Sequence, residues 1–270
     1  MRFSLFFLLY FLLRSVSSPA QLNSPATAGS TGLMMGGIGA ALTDANSLFA
    51  NPAGVSSVQT TTLLLQAENR FLQPALSSVQ AGILLPTNNE TFGFRINHFG
   101  PGEYNEQEMA LVYARPLSNV ISLGGGIHLR QQRIPEYGMR RLLTFSLGVQ
   151  MELLPNLALG TYLYNPIRQE LTPDEYAPTL FLIGARYQPS EQVQLLIEVE
   201  KDIDYIARVK AGIAYQLGDV LLLRTGIRTQ PTNFSFGLGI PIGSHLQIDV
   251  GAWQHQQLGM SPLFHLSYQW

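Results

Sequence analysis

From about residue 60 to the end of the chain, apolar residues alternate with polar residues or glycines at every second position. The final stretch shows this alternation in full, with the order Phe264, His265, Leu266, Ser267, Tyr268, Gln269 and Trp270. The same alternation recurs over residues 143–152, 193–200, 208–217 and 246–252. Successive side chains of a β-strand point to opposite faces, so a period of two predicts strands with one apolar and one polar face.

Short and longer connections alternate between these strands. The short ones, such as residues 154–156 and 217–219, consist of turn-forming residues, whereas the longer ones include residues 131–140 and 165–176. Six short and seven longer connections predict about fourteen strands, with twelve as the alternative count. Tight periplasmic turns on one rim and longer loops on the other are typical of outer-membrane barrels. We therefore predict that residues 60–270 form an all-β, antiparallel transmembrane barrel.

Residues 1–20 have the features of a secretory signal peptide. Arg2 supplies a positive start and residues 3–13 form a short apolar run. Small residues, Ser18 and Ala20, stand at the two positions that a signal peptidase reads. The apolar run is shorter than the roughly 20 residues that a membrane-spanning helix needs. We expect cleavage near Ala20 and location of the mature chain in a bacterial outer membrane.

Composition excludes several classes of function. Charged residues make up 13% of the chain and the formal net charge is −2, which excludes the basic face of a nucleic-acid-binding protein. The chain has no cysteine, so disulfide frameworks and thiolate metal sites are excluded. The histidines lack the spacing of metal ligands and no Gly-x-Ser-x-Gly motif occurs. We expect no catalytic residue, no metal and no cofactor, and therefore predict that the protein is not an enzyme.

Residues 21–59 precede the first predicted strand and are rich in glycine and alanine. Fourteen strands enclose more space than their own side chains fill, so we expect this segment to lie in the lumen as a plug. Apolar residues near helical spacing predict a short helix that begins near Asp44 and ends at Asn51–Pro52. The residues expected to form the plug motif are Gly36, Gly37, Ala40, Asp44, Asn51, Pro52 and Gly54.

The polar faces of the predicted strands supply charged candidates for the lumen. Charges of both signs meet there, which permits either a polar path or ion pairs that hold the plug and neutralise one another. The candidates are Arg95, Glu108, His128, Arg130, Glu152, Glu198, Lys210, Arg224, Arg228 and Asp249.

The last predicted strand ends on an aromatic residue. This feature resembles the signal by which outer-membrane barrels are handed to their assembly machinery. The residues concerned are Leu266, Tyr268 and Trp270. We therefore expect the assembly machinery and outer-membrane lipid as partners.

A family resemblance rests on residues that precede the strands, namely Gly36–Gly37, Ala40–Ala41, Asp44 and Asn51–Gly54. These residues resemble the N-terminal segment of the long-chain fatty acid transporter (FadL-like) superfamily. The chain is more similar to the Bacteroidota branch that contains the PorV and PorQ proteins of type IX secretion. The further stretches that carry this similarity are Tyr104–Gln107, Tyr113–Arg115, Asn165–Arg168, Glu200–Asp204 and Phe234–Gly239.

Two functions follow from this resemblance. The similarity to PorV and PorQ implies an accessory or docking component of type IX protein secretion, with secretion-system or secreted proteins as partners. The alternative is a passive channel for small hydrophobic molecules, as the FadL-like superfamily implies. Fatty acid transporters carry longer outer loops that build an external binding groove, whereas we expect no outer loop longer than about a dozen residues here.

Overall fold

The computed structural model describes residues 28–102, 104–135, 138–172 and 175–270. Fourteen antiparallel strands close into one barrel, and the first strand pairs with the last. The barrel strands are β1 (Thr62–Asn69), β2 (Ser77–Pro86), β3 (Thr91–Phe99), β4 (Asn105–Pro116), β5 (Ile121–Ile134), β6 (Gly138–Leu154), β7 (Leu157–Tyr164), β10 (Leu180–Ser190), β11 (Val193–Asp202), β12 (Arg208–Leu217), β13 (Leu221–Arg228), β14 (Asn233–Ile242), β15 (Leu246–His255) and β16 (Gly259–Gln269). The prediction of an all-β antiparallel barrel of about fourteen strands is confirmed, and the alternative count of twelve is wrong.

The two rims of the barrel differ in their connections. One rim, called the turn rim below, carries the six tight turns together with the start of β1 and the end of β16, where Thr62 pairs with Gln269. The other, called the loop rim, carries the remaining connections. Its longest connection, residues 165–179, is longer than expected and holds the small hairpin of β8 (Glu170–Thr172) and β9 (Glu175–Tyr176).

The wall separates apolar from polar side chains as the alternation predicts. On β14, Phe234 and Phe236 are exposed on the outside while Ser235 is buried inside. No helix within the described ranges is long and apolar enough to cross a membrane. An apolar outer face around a polar interior is the arrangement of barrels that lie in a bilayer.

The final strand closes the wall at the turn rim. Leu266 pairs with Leu65 of β1, and the backbone N–H of Trp270 donates to the carbonyl of Thr61 at 3.2 Å. The side chains of Tyr268 and Trp270 are exposed, with their ring centroids 5.6 Å apart. The role of these residues in assembly stays a prediction.

Residues 28–59, called the N-terminal segment below, lie inside the barrel. The predicted signal peptide at residues 1–20 and residues 21–27 fall outside the described ranges. The segment contains one short α-helix and two 3-10 helices, which are α1 (Ser30–Leu33), η1 (Ala45–Phe49) and η2 (Pro52–Ser57). Two further 3-10 helices, η3 (Arg70–Leu72) and η4 (Pro74–Leu76), lie between β1 and β2.

The helix expected near Asp44 is a 3-10 helix, η1. The Asp44 side chain caps it by accepting a hydrogen bond from the backbone N–H of Asn46 at 2.9 Å. Pro52 does more than end this helix, because it also occupies the first position of η2. Proline suits that position since its missing N–H would have no partner inside the helix. The side chain of Asn51 caps η2 by accepting from the N–H of Ala53 at 3.0 Å.

Eight glycines on the inner face of the wall form four directly opposed cross-strand pairs, called the glycine belt below. The pairs are Gly124 with Gly148, Gly160 with Gly184, Gly212 with Gly226, and Gly237 with Gly251. The N-terminal segment follows the belt around the lumen, with Met34 at Gly237–Gly251, Met35 and Gly36 at Gly212–Gly226, Ala40 and Ala41 at Gly160–Gly184, and Asn51 to Ala53 at Gly124–Gly148. The segment therefore lines much of the inner circumference instead of hanging from one side.

At four of its eight positions the belt has to be glycine, because the backbone of the segment lies against the backbone of the wall there. A methyl group added at Gly124 would lie 2.5 Å from the carbonyl carbon of Pro52 and closer still to the nitrogen of Ala53. A methyl group at Gly160 would overlap the carbonyl oxygen of Ala40. Backbone atoms cannot turn aside as the end of a flexible side chain can, so a larger residue forces the segment off the wall.

Neighbouring glycines on β5 test this explanation. We expect Gly124→Ala to lower the free energy of unfolding by about 1–3 kcal/mol, because its methyl group overpacks against the segment. Gly125→Ala is the matched control, since a methyl group there meets no atom closer than 3.6 Å. We expect that control to change the unfolding free energy by no more than about 0.5 kcal/mol. Guanidinium unfolding in detergent, followed by gel mobility, measures both, and equal midpoints would contradict the role of the belt.

Candidate functional site

The lumen is the candidate site because the N-terminal segment and most of the predicted charged residues meet there. At its centre, Lys210 Nζ on β12 lies 2.7 Å from Glu198 Oε1 on β11, and both side chains are buried. Glu198 Oε2 accepts hydrogen bonds from the backbone N–H groups of Gly39 and Ala40, at 2.8 and 2.6 Å. Lys210 Nζ donates to the carbonyl of Gly37 at 2.6 Å. This arrangement, called the Glu198–Lys210 latch below, ties the segment to the wall.

The latch continues toward the loop rim as a line of alternating charges. Lys210 Nζ lies 2.7 Å from Glu200 Oε2, and Arg208 Nη1 lies 2.9 Å from Glu200 Oε1. Arg208 Nε donates to the carbonyl of Gln230 in the connection between β13 and β14 at 3.0 Å. The two carboxylates and the two cations balance, as charges removed from water must.

Uncharged side chains hold the segment elsewhere. Gln150 Nε2 on β6 donates to the carbonyls of Ala40 and Leu42, both at 2.8 Å. Asn51 Nδ2 reaches two carbonyl groups of the wall, one on β6 at 3.2 Å and one on β7 at 3.1 Å. Ser235 Oγ accepts from the N–H of Gly36 at 2.8 Å. The bonds of Gln150 and Ser235 satisfy backbone groups of a segment that lies outside any sheet.

The predicted plug motif divides into two groups. Residues that touch the wall are Gly36, Gly37, Ala40, Asn51 and Pro52. Asp44 and Gly54 instead act within the segment. Asp44 caps η1 and is exposed, and Gly54 lies so close to the carbonyl of Leu42 that a side chain would overlap it.

A second buried charge cluster lies between β3 and β6. Arg95 Nη2 is 2.5 Å from Glu108 Oε1 and 3.3 Å from His128 Nδ1. The other ring nitrogen of His128 lies 2.8 Å from Ser146 Oγ. Arg95 Nε and Nη1 have no hydrogen-bond partner among the described residues. Within the described ranges this cluster forms no hydrogen bond or ion pair with the N-terminal segment, so it connects strands of the wall to one another.

A third cluster lies toward the turn rim. Asp249 Oδ1 is 2.5 Å from Arg224 Nη1, and Asp249 Oδ2 is 2.9 Å from His265 Nδ1. Gln247 Nε2 donates to Asp249 Oδ1 at 2.9 Å. The structure thus brings Arg224 and Asp249 together, whereas sequence reasoning did not select His265 although it stands on the polar face of the final strand.

Two further candidates lie near the loop rim. Arg130 forms an ion pair with Glu106, whose other oxygen accepts a hydrogen bond from the hydroxyl of Tyr104. Burial and the hydrogen bond to Glu106 raise the pKa of the Tyr104 hydroxyl to about 12. The Arg228 guanidinium lies 5.4 Å from the ring centroid of Trp253. Within the described ranges, no group of three or more His, Asp or Glu side chains could hold a metal ion.

Glu152 does not lie within the lumen as expected. It occurs near the turn-rim end of β6, beside a register irregularity between Glu152 and Leu154. Its side chain is 55% exposed, and Arg186 Nη2 lies 3.9 Å away. The polar-face pattern of β6 continues to this residue, but the strand has already reached solvent at the rim.

Sequence reasoning missed an apolar patch inside the barrel. Its wall residues, called the inner patch below, are Leu64 on β1, Leu84 on β2, and Val112 and Ala114 on β4. Four segment residues pack on them, namely Ala45, Leu48, Phe49 and Val55. A signal was present in the unbroken apolar runs 63–65 and 83–85, where apolar residues occupy both faces of a strand.

Comparisons with known proteins agree with this geometry at the level of the fold. No family model matches the chain, and no curated protein sequence matches it. The toluene transporter TbuX of Ralstonia pickettii superposes with a TM-score of 0.67 at 10% identity, over 92% of this chain and 99% of that chain. The toluene transporter TodX of Pseudomonas putida gives 0.64 at 12% identity, over 89% and 97%. A Pseudomonas aeruginosa FadL homologue gives 0.66 at 11% identity, over 90% and 98%. The chain shares the fold of these barrels.

The latch makes a prediction about stability. We expect Glu198→Gln to lower the free energy of unfolding by about 3–5 kcal/mol, because it breaks a buried ion pair and leaves the ammonium of Lys210 undercompensated. Glu152→Gln is the control, since an exposed carboxylate 3.9 Å from its partner contributes at most about 1 kcal/mol.

The measurement is guanidinium unfolding of both variants in detergent. The double variant Glu198→Gln with Lys210→Met separates the buried charge from the hydrogen bonds. We expect it to be more stable than Glu198→Gln alone, because no unpaired charge remains. A Glu198→Gln variant as stable as Glu152→Gln would contradict the role of the latch.

Proposed function

We propose that this protein is an outer-membrane barrel of the FadL-like superfamily that lets small hydrophobic molecules cross, and that the N-terminal segment closes its lumen. One observation carries the proposal. The segment is seated on an apolar inner patch within a barrel whose fold is shared with two toluene transporters. An apolar inner surface forms favourable contacts with an apolar molecule, whereas a fully polar lumen does not.

The shape and surface of the barrel support an outer-membrane location. Large apolar side chains are exposed around the outside, including Leu111 on β4, Leu147 on β6 and Ile197 on β11. Water would leave such a surface unstable, whereas lipid tails cover it. The predicted signal peptide at residues 1–20 agrees with export, and its cleavage near Ala20 stays a prediction.

A second candidate function is the accessory or docking role in type IX secretion. The observation that favours it is a lumen filled by the segment and by paired charges such as Glu198 with Lys210. Such a barrel presents its rims to partners and not its interior. The solved structures compared above are two transporters and a FadL homologue, so we rank transport first. Membership of the PorV and PorQ branch, a Bacteroidota source and secretion partners remain predictions.

An uptake measurement tests the proposed function. Intact bacterial cells with a lipopolysaccharide layer admit apolar dyes slowly, so an added channel is visible above the background. We expect cells that carry this protein to take up N-phenyl-1-naphthylamine several-fold faster than cells that lack it. Hydrolysis of nitrocefin by a periplasmic β-lactamase is the control for leakage, and its rate should not change, because the lumen is closed to polar molecules by paired charges.

The transport proposal would be overturned if cells with folded protein in the outer membrane took up the dye no faster than cells without the protein. Recovery of a secretion protein by affinity purification from the same membranes would then favour the docking function. Equal increases in dye uptake and nitrocefin hydrolysis would indicate an unspecific leak and would also contradict the proposal.

A further inference from the structure

The outer surface of the barrel changes from apolar to polar where β4, β5 and β6 approach the loop rim. Outward-facing residues of these strands stand opposite one another in cross-strand rows. In order toward the loop rim, the rows are Met109, Leu129 and Leu143, then Gln107, Gln131 and Arg141, then Asn105, Arg133 and Met139. The first row is apolar and exposed, and polar side chains begin in the second. The apolar band that faces lipid therefore ends between these two rows.

Two arginines lie side by side just beyond the end of this band. They are Arg133 on β5 and Arg141 on β6, called the arginine pair below, and both are exposed. Arg141 stands directly opposite Gln131, and Arg133 is the next outward residue on the same strand as Gln131. Diagonal neighbours of this kind are about 7–8 Å apart, which long side chains can span. The two guanidinium groups can therefore bind one ligand.

Contacts on the outer surface orient Arg141 toward its neighbour. Arg141 Nε donates to Gln131 Oε1 at 3.2 Å, so the side chain leans across the hairpin toward β5, the strand that carries Arg133. Arg141 Nη2 lies 3.9 Å from Met139 Sδ. Pairing of β6 with β7 ends at Ser146, so in the described part of the chain no strand covers Arg141 from that side. The pair is open to a molecule that lies beside the barrel.

The outer face of the wall gives the pair no compensating charge. In the described barrel strands, Asp and Glu stand at inward-facing positions, as Glu106 and Glu108 do on β4. Another outward cation near this rim, Lys201 on β11, donates to the backbone carbonyl of Tyr205. Neighbouring cations on a sheet repel each other, so an anion bound between them is stabilising. The arginine pair is thus a local excess of positive charge at the edge of the apolar band.

We propose that the arginine pair binds a phosphate group of an anionic glycolipid in the outer leaflet, namely the lipid A portion of lipopolysaccharide. The tight turns of such barrels are periplasmic, so the loop rim faces the outer leaflet. The acyl chains of the lipid then cover the row of Leu129 and Leu143, and its phosphate lies at the level of the arginines. The planar guanidinium group matches phosphate oxygens with two parallel hydrogen bonds. This inference goes beyond the proposed function, because the site lies outside the lumen and takes no part in transport.

A second explanation for arginines at this depth is that their side chains extend past the apolar band into water. That explanation requires neither a neighbouring cation nor a phosphate group. It also predicts that each arginine points away from the membrane, whereas Gln131 holds Arg141 across the sheet. The two explanations differ in whether binding depends on phosphate, and that dependence can be measured.

Lipid binding by the purified barrel tests the proposal. Lipid A is titrated into the protein in detergent, and native mass spectrometry follows the bound fraction. We expect Arg133→Gln with Arg141→Gln to weaken binding by about tenfold or more, because the bidentate bonds to phosphate are lost. Arg115→Gln with Lys201→Gln is the control, since it removes the same charge from other parts of the outer face. We expect the control to bind within about twofold of the native protein, because charges that far from the site are screened.

Lipid A without phosphate identifies the group that is bound. Loss of the phosphates should weaken binding to the native protein about tenfold and leave the Arg133→Gln, Arg141→Gln variant unchanged within about twofold. Equal binding of lipid A by the native protein and that variant would overturn the proposal. Equal binding of lipid A with and without phosphate by the native protein would overturn it as well. Displacement of lipid A by an equal concentration of inorganic phosphate would indicate a site for a free anion and would likewise contradict the proposal.

Extraction from membranes gives an independent measurement. The native protein, purified from cells that make lipopolysaccharide, should retain several-fold more of it than the Arg133→Gln, Arg141→Gln variant, and the control variant should retain the native amount. Gel mobility before and after heating confirms that each variant is folded. Equal retention by all three proteins would contradict the proposal. Neither measurement involves transport, so a native protein that binds lipid A but takes up no dye would refute the proposed function alone.

Discussion

The close approach of one backbone to another is the constraint on which the interior of this barrel depends. The N-terminal segment lies against the wall at four opposed glycine pairs, and at Gly160 a single methyl group would overlap the carbonyl of Ala40. Because the segment is not part of the sheet, wall side chains must satisfy its backbone groups. The glycines set the distance between the segment and the wall. At that distance, Glu198, Lys210 and Gln150 form hydrogen bonds with the backbone of the segment.

Charge pairing inside the lumen follows from the close packing of the N-terminal segment against the wall. A filled lumen excludes water, so the line from Arg208 to Glu198 has to neutralise itself. Buried pairs of this kind contribute little net stability but penalise any arrangement that separates them. Their role is therefore to favour one position of the N-terminal segment against the wall. The Glu108 and Asp249 clusters do the same for the strands that bear them.

The contrast between polar and apolar contacts of the segment connects this packing to the proposed function. Polar bonds are directional and leave an unsatisfied group when they break, whereas apolar contacts can be exchanged for others of similar area. A barrel that admits apolar molecules while excluding polar ones can use this difference within one segment. Polar bonds tie the segment to the charged parts of the lumen, and Leu48 and Phe49 cover the apolar inner patch.

The sequence by itself determined the strands, their approximate number, the two kinds of rim and the segment that lies in the lumen. Each rests on local physics, namely the period of two and the chemistry of turns. The sequence also predicted charged residues of the inner face, such as Glu198 and Asp249. Glu152 shows that a position on the polar face of a strand does not establish how deep in the barrel the residue lies, because its side chain is exposed at the rim. Only the tertiary structure decided which glycines oppose one another, which charges pair and where Leu64 and Leu84 form the inner patch. These depend on register between strands and on the path of the segment, which bring together residues as distant in sequence as Ala40 and Glu198.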